Sequence, residues 1–196
     1  MREPDIFVLA DTTLKEVVDQ IRDDQWSLPM PPDFGTVGEP VTLSQVINEH
    51  AYDDAWVPDM LAGRTMTEVG ANAYRGDLLG ADAKRAFAAI VDRACAAAAA
   101  ADDLDQVVHC SFGDYPAREY FWQISGFRGL RAHDIAKAIG VSTDLPPELV
   151  AGLWESIEPN AEEWRSYGVF GPRVEVPTDA SLQDKLLGLT GRQPGH

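Results

Sequence analysis

Apolar residues recur every three or four positions along most of this chain, which is the spacing of helices that each bury one face. The clearest case is residues 120–140, YFWQISGFRGLRAHDIAKAIG, where Phe121, Ile124, Phe127/Arg128, Arg131, Asp134/Ile135 and Ala138 form one stripe. Asp114 is placed to cap this helix and Gly140 to stop it. Arg131 and Asp134 are charged positions on an otherwise apolar stripe. Either they snorkel out at its edge, or they mark a charged patch inside the fold where chemistry is done.

The same pattern predicts further helices. Thr12 or Thr13 caps a first one, with Leu14, Val17, Val18 and Ile21 on its buried face and Glu16 completing a capping box. A second opens at Thr42, with Gln45 as capping-box partner, and runs to about Leu61. Residues 81–101 form a third, with Phe87, Ile90, Val91 and Ala94 facing inwards. Proline in the first turn opens a helix that buries Leu149, Val150, Leu153, Trp154 and Ile157 until Pro159 interrupts it, and Asn160 with Glu163 recaps a short continuation.

Between these lie irregular pieces. Residues 28–40, LPMPPDFGTVGEP, hold four prolines and two glycines, and read as a long crossover loop of the kind that often binds ligands. Residues 64–80 read as a loop with a short helix, and residues 105–112 as a strand or hairpin before the main helix. Residues 168–196 form an appendage with a small helix containing Leu182, Leu186, Leu187 and Leu189, which is too short to be stable alone and should fold back on the bundle. Gly126 and Gly129, mid-helix, permit close packing. The expected fold is all-α: a single domain over residues 1–196, its four-helix bundle core spanning about 12–167.

Composition narrows the function. The formal charge is −16, from 32 acidic against 16 basic residues, so neither nucleic acid nor an anionic membrane surface is an expected partner. No apolar run approaches the length of a membrane span, and the N-terminus lacks the pattern of a secretion signal. Cys95 and Cys110 make no metal or redox spacing and read as reduced thiols, which suits a cytoplasmic protein. His109 reads as a structural histidine.

The second helix carries the densest polar chemistry, with Glu49, Asp53 and Trp56 on one face and His50 with Asp54 on the next. His50 and Asp54 have the spacing of a two-ligand metal clip, although a solvated acidic face accounts for them as well. Tyr52, Trp56, Trp122 and Phe127 either line an apolar pocket or belong to the core.

Four stretches carry a family likeness: Val-Ile-Asn-x-x-Ala-Tyr-Asp-x-Ala-Trp at 46–56, Val-His-x-Ser-x-Gly-Asp-x-Pro at 108–116, Asp-Ile-Ala-x-x-Ile-Gly at 134–140, and a tail with Gly-Val-x-Gly-Pro-x-Val-x-Val-Pro and Gln-Asp-x-Leu-Leu-x-Leu-x-Gly-Arg at 168–192. In these the chain resembles the DinB-like superfamily, and within it the actinobacterial branch related to the N-terminal domain of mycothiol-dependent maleylpyruvate isomerase. The resemblance implies a four-helix bundle holding a divalent metal, zinc or nickel, that activates a low-molecular-weight thiol for transfer or isomerisation. Aligned with that family, the ligand positions are Glu49, Phe127 and Arg131. These make a degenerate site, because an aromatic ring cannot coordinate and a guanidinium repels a cation. The expectation is that no metal is held here and that Glu49 and Arg131 pair across the bundle, with Asp134 nearby. The fallback is a shifted site using His50, Asp54 and His133.

Three readings follow. The chain is a metal-dependent thiol transferase or isomerase; or a metal-free enzyme using Glu49, Asp53 or Asp134 as base with Arg131 as clamp for a small anion; or a bundle that binds a small ligand or a second copy of itself. Candidate catalytic residues are Glu49, Arg131 and Asp134, with Asp53, Trp56 and Phe127 as ligand contacts.

Overall fold

The computed structural model describes residues 1–31 and 40–194, and these are mostly helical. The elements are α1 (Glu3–Val18), α2 (Leu43–Leu61), α3 (Met66–Val69), α4 (Ala83–Ala99), β1 (Val107–Cys110), β2 (Gly113–Pro116), α5 (Ala117–Ile139), α6 (Pro147–Ile157), α7 (Ala161–Ser166) and α8 (Leu182–Leu189). Four long helices make the core. α1 lies against both α4 and α5, and α2 lies against α4, whereas α2 and α5 approach each other at only a few points. That last gap is where a cavity opens.

Helix α1 starts about ten residues before the predicted cap. Asp5 accepts a bond from the Arg2 backbone N–H at 3.1 Å, and Pro4 sits in the first turn, where a missing N–H breaks no bond. Thr13 is not a cap: its Oγ1 donates to the Leu9 carbonyl at 2.7 Å, the back-bond that lets threonine sit inside a helix. The predicted α2 start is correct, with Thr42 Oγ1 accepting from the Gln45 N–H and Gln45 Oε1 from the Thr42 N–H. The two ends of the 28–40 loop are held together, since the Met30 N–H donates to Val41 O at 2.8 Å and the Leu43 N–H to Leu28 O at 2.9 Å. Residues 32–39 of that predicted crossover loop lie outside the described residues.

β1 and β2 form the expected hairpin, pairing His109 opposite Asp114. Asp114 therefore does not cap the main helix; its carboxylate meets His109 Nδ1 at 2.9 Å across the hairpin, and Pro116 is the helix N-cap. At the other end Gly140 adopts φ +74°, the left-handed conformation of a glycine stop. Asn160 makes no capping bond to α7; its side chain donates to Ser156 O.

Helix α5 is buried on more than one side, so a single stripe does not describe it. Arg128 rather than Arg131 points into the core, Phe127 is 52% exposed, and Ala138 is exposed. Gly129 makes the close approach to α6: a Cβ there would stand 2.6 Å from Leu153 Cδ1, whereas one on Gly126 would make ordinary contact at 3.7 Å from Ile157 Cδ1. Gly126→Ala is thus expected to gain stability, up to about 1 kcal/mol, from helix propensity. Gly129→Val is expected to lose about 1–3 kcal/mol through overpacking. Urea unfolding of the two variants checks the difference in sign.

The tail folds back as expected. Leu186, Leu187 and Leu189 are buried, and α8 packs on α6. Asp134 holds the tail, accepting from Arg192 Nε at 2.9 Å and from Nη2 at 2.8 Å. At the crossing of the tail, Gly191 (φ +82°) lies so close to Gly171 that a Cβ would meet backbone at 2.8 Å.

Candidate functional site

Beneath the gap between α2 and α5 lies a buried charge cluster. Asp54 accepts from Arg128 Nε at 2.8 Å and from Arg128 Nη2, and Arg128 Nη1 donates to the Ile124 carbonyl at 2.9 Å. Asp11 of α1 comes within 3.4 Å of Arg128 Nε, and the Phe7 ring lies 5.0 Å from the guanidinium carbon. Arg128 is 2% exposed, and both acids are fully buried.

Two carboxyls thus share one guanidinium. Burial raises Asp11 well above the carboxylate range, and the neighbouring Asp54 charge raises it further against the pull of Arg128. A protonated Asp11 can donate to Asp54, the side-chain contact that joins the two acids. Asp11 Oδ1 and Asp54 Oδ2 are buried with no other hydrogen-bond partner. The cluster is then neutral, one carboxylate balancing one guanidinium, which makes burial tolerable. Cys95 Sγ donates to Asp11 Oδ2 at 3.8 Å, and burial pushes the Cys95 thiol up to about 12.

Above the cluster opens a cavity of about 310 Å³ lined by α2, α5 and the hairpin turn. Tyr52, Trp56, Met60, Tyr120 and Ile124 form much of its wall, and Phe112 (56% exposed) and Phe127 stand on its lining too. Arg128 and Asp53 are the charged residues on the lining. Asp53 is exposed as a residue, yet its carboxyl is crowded by protein. Desolvation pushes it up to about 6, opposed by Arg128 and assisted by the charges of Asp54 and Glu49. No hydrogen bond or ion pair engages Asp53 among the described residues. Cys110, also on the wall, has its thiol pushed up to about 11 by burial, so it is no nucleophile at neutral pH. Tyr120 is likewise raised by burial and stays a phenol.

The structure separates the other predicted residues. Glu49 is exposed on α2 and lines a different cleft, with Asp77 and Lys84. Arg131 lines a groove with Asp134 and Arg192, and its charge is felt by His50. Among the ion pairs of the described residues none joins Glu49 to Arg131; the charge pair that crosses from α2 to α5 is Asp54 with Arg128. Asp134 is engaged by Arg192 as a tail anchor and not by a cavity. Phe127 does reach the cavity, as do Asp53 and Trp56.

The metal positions fare no better. Glu49, Phe127 and Arg131 lack a donor set, and in the fallback set Asp54 is committed to Arg128. His133 is buried against the loop after α5, its Nδ1 meeting the Thr143 carbonyl at 3.2 Å. Burial keeps His50 neutral, with Nδ1 lacking a partner. Among the described residues no three His, Cys, Asp or Glu side chains gather as a cation cage. The residues present do not fit the metal that the resemblance implies.

Sequence reading passed over Asp11 and the weight of Arg128. The signal was available: Asp11 stands between Phe7 and Leu14 on one apolar stripe and Arg128 follows Phe121 by two turns on another. Opposite charges on two buried stripes imply a partner across the interface.

The fold and cavity define a class: a helical protein with a small-molecule-sized cleft between two of its core helices. No protein-family model matches the chain, and no curated protein or solved structure matches it significantly.

Proposed function

We propose that this is a DinB-like protein that handles a small molecule in the cavity between α2 and α5, with Asp53 as proton acceptor where the family would use a metal. One observation supports this above others: a carboxyl without a bonded partner among the described residues stands on the lining of an aromatic cavity, where desolvation pushes it up to about 6. A base with that pKa is ionised at neutral pH and still takes a proton at modest cost. The cavity volume falls at the lower end of small-molecule sites, about 300–1,000 Å³. The family's thiol chemistry, placed here, would have Asp53 draw the proton from the bound thiol while the apolar wall excludes water.

The test is transfer of a simple thiol that carries an ammonium group, 2-aminoethanethiol, to an aromatic electrophile. The rate is expected to rise with pH around 6, as Asp53 ionises, and to fall roughly 10²–10⁴-fold in Asp53→Asn. Chelator treatment should leave it unchanged. A rate abolished by chelator and restored by zinc would overturn the metal-free reading, and absence of turnover would remove the enzyme reading.

A further inference from the structure

We infer that the cavity between α2 and α5 takes an organic cation, an ammonium group carried on an apolar or aromatic body. The inference rests on the reading of this cavity as the ligand site and specifies what that ligand carries.

The charge pattern points this way. Of the two charged residues on the lining, Arg128 is committed, with Nε and Nη2 on Asp54, Nη1 on the Ile124 carbonyl and its face against Phe7. An entering anion therefore meets no guanidinium group that is not already engaged. Asp53 is in the opposite position, a carboxylate on the same wall with no bonded partner among the described residues. A cation placed beside it offsets the desolvation that burial imposes on the carboxylate.

The rings supply the second part of such a site. Tyr52 and Trp56, on the same helix as Asp53, pack edge to face 6.3 Å apart with their planes at 77°. Trp56 is fixed from another side by Tyr74, edge to face at 4.9 Å. Tyr120 and Phe127 come from α5 on the far wall. Aromatic rings lining a cavity that also carries a carboxylate attract quaternary and primary ammonium groups, because the ring quadrupole presents negative charge at its face. Met60 and Ile124 offer an apolar surface for the rest of the ligand. The chain's formal charge of −16 favours approach of cations over anions.

Binding of a cation should depend on pH through Asp53. The groups that act on it are Glu49 and Asp54 from its own helix and Arg128 from α5. Tyr120 from α5 and Cys110 from the hairpin stay protonated over the relevant range. Ionisation of Asp53 then strengthens cation binding as pH rises through about 6.

The experiment is calorimetric titration of the full chain with three probes of similar shape: benzyltrimethylammonium, its neutral isostere neopentylbenzene, and the anion phenylpropionate. At pH 7.5 the cation is expected to bind about tenfold or more tightly than the neutral isostere, and the advantage should shrink severalfold in Asp53→Asn and in wild type well below pH 6. Asp53 is exposed, so Asp53→Asn is expected to fold, which its thermal melt verifies. Trp56→Leu should weaken the cation more than the neutral probe. Equal binding of cation and isostere would overturn the cation inference and leave the cavity as a ligand site. Preference for phenylpropionate would overturn it in favour of recognition by Arg128. No binding of any probe at about 10 mM would overturn both this inference and the cavity reading beneath it.

Discussion

Arg128→Met is expected to destabilise the protein by about 3–5 kcal/mol, the largest effect of any substitution considered, measured by urea unfolding at pH 7.5. The cost arises because Asp54 loses its buried counter-charge and Asp11 has no water to turn to. Adding Asp54→Asn to Arg128→Met should recover a large part of that loss, since no bare carboxylate then has to remain in the core. A full loss in the double variant would show that packing against Phe7, not charge balance, is what Arg128 contributes.

Asp11→Asn should behave in the opposite way. Because Asp11 is held protonated when folded but ionises near its ordinary pKa of about 3.9 when unfolded, the native state binds more protons above that pH. Stability from this group is therefore greatest at low pH and declines as pH rises from about 4 through the raised folded value. Asn removes that decline, so the variant is expected to equal wild type near pH 4 and to gain on it as pH rises. His50 and His133 act with the reverse sign. Both are kept neutral by burial, so their contribution is lost as pH falls through the ordinary histidine value of about 6.5. A variant that loses ground with rising pH would show that Asp11 is ionised in the fold.

The second large effect is expected at the tail. Leu187→Ala should cost about 2–5 kcal/mol, because Leu187 is fully buried where α8 covers α6. Leu182→Ala, on the same short helix but 41% exposed, should stay within about 0.5 kcal/mol. A small loss for Leu187→Ala would mean that α8 opens independently of the bundle, and hydrogen exchange of the α8 amides would show this directly.

These leucines illustrate the reach of sequence reading. Periodicity placed α8 and the need to cover it, but all four leucines looked alike until α6 selected three of them. The helices with strong local signals were read well: the Thr42 and Gln45 capping box, the inward face of α4, the glycine stop at Gly140 and the hairpin before α5. The start of α1 was missed because a buried Asp11 interrupted its apolar stripe and Thr13 mimicked a cap. Asp114 was misplaced because its partner, His109, is supplied by strand pairing.

For the candidate site the division is sharper. Asp53, Trp56 and Phe127 were legible as one helix face and a facing aromatic, and the structure brings them to one cavity. Glu49 and Arg131 were placed by the family alignment, whereas the buried pair is Asp54, five residues further along α2, and Arg128, three residues earlier on α5, roughly 140° and 60° round their helices.

By itself the sequence determined what local physics controls. Helix propensity, caps, breakers and the period of apolar residues placed most of the elements, and the acidic composition determined the charge of the surface. The tertiary structure alone decided which charged residue on each helix is buried, because burial depends on the rotation of one helix against its neighbours. It alone decided that Asp11 and Asp54 share one guanidinium, since that requires α1 and α2 to meet at Arg128. It also decided that α2 and α5 stay apart far enough to leave a cavity, a distance that no pattern along a single helix encodes.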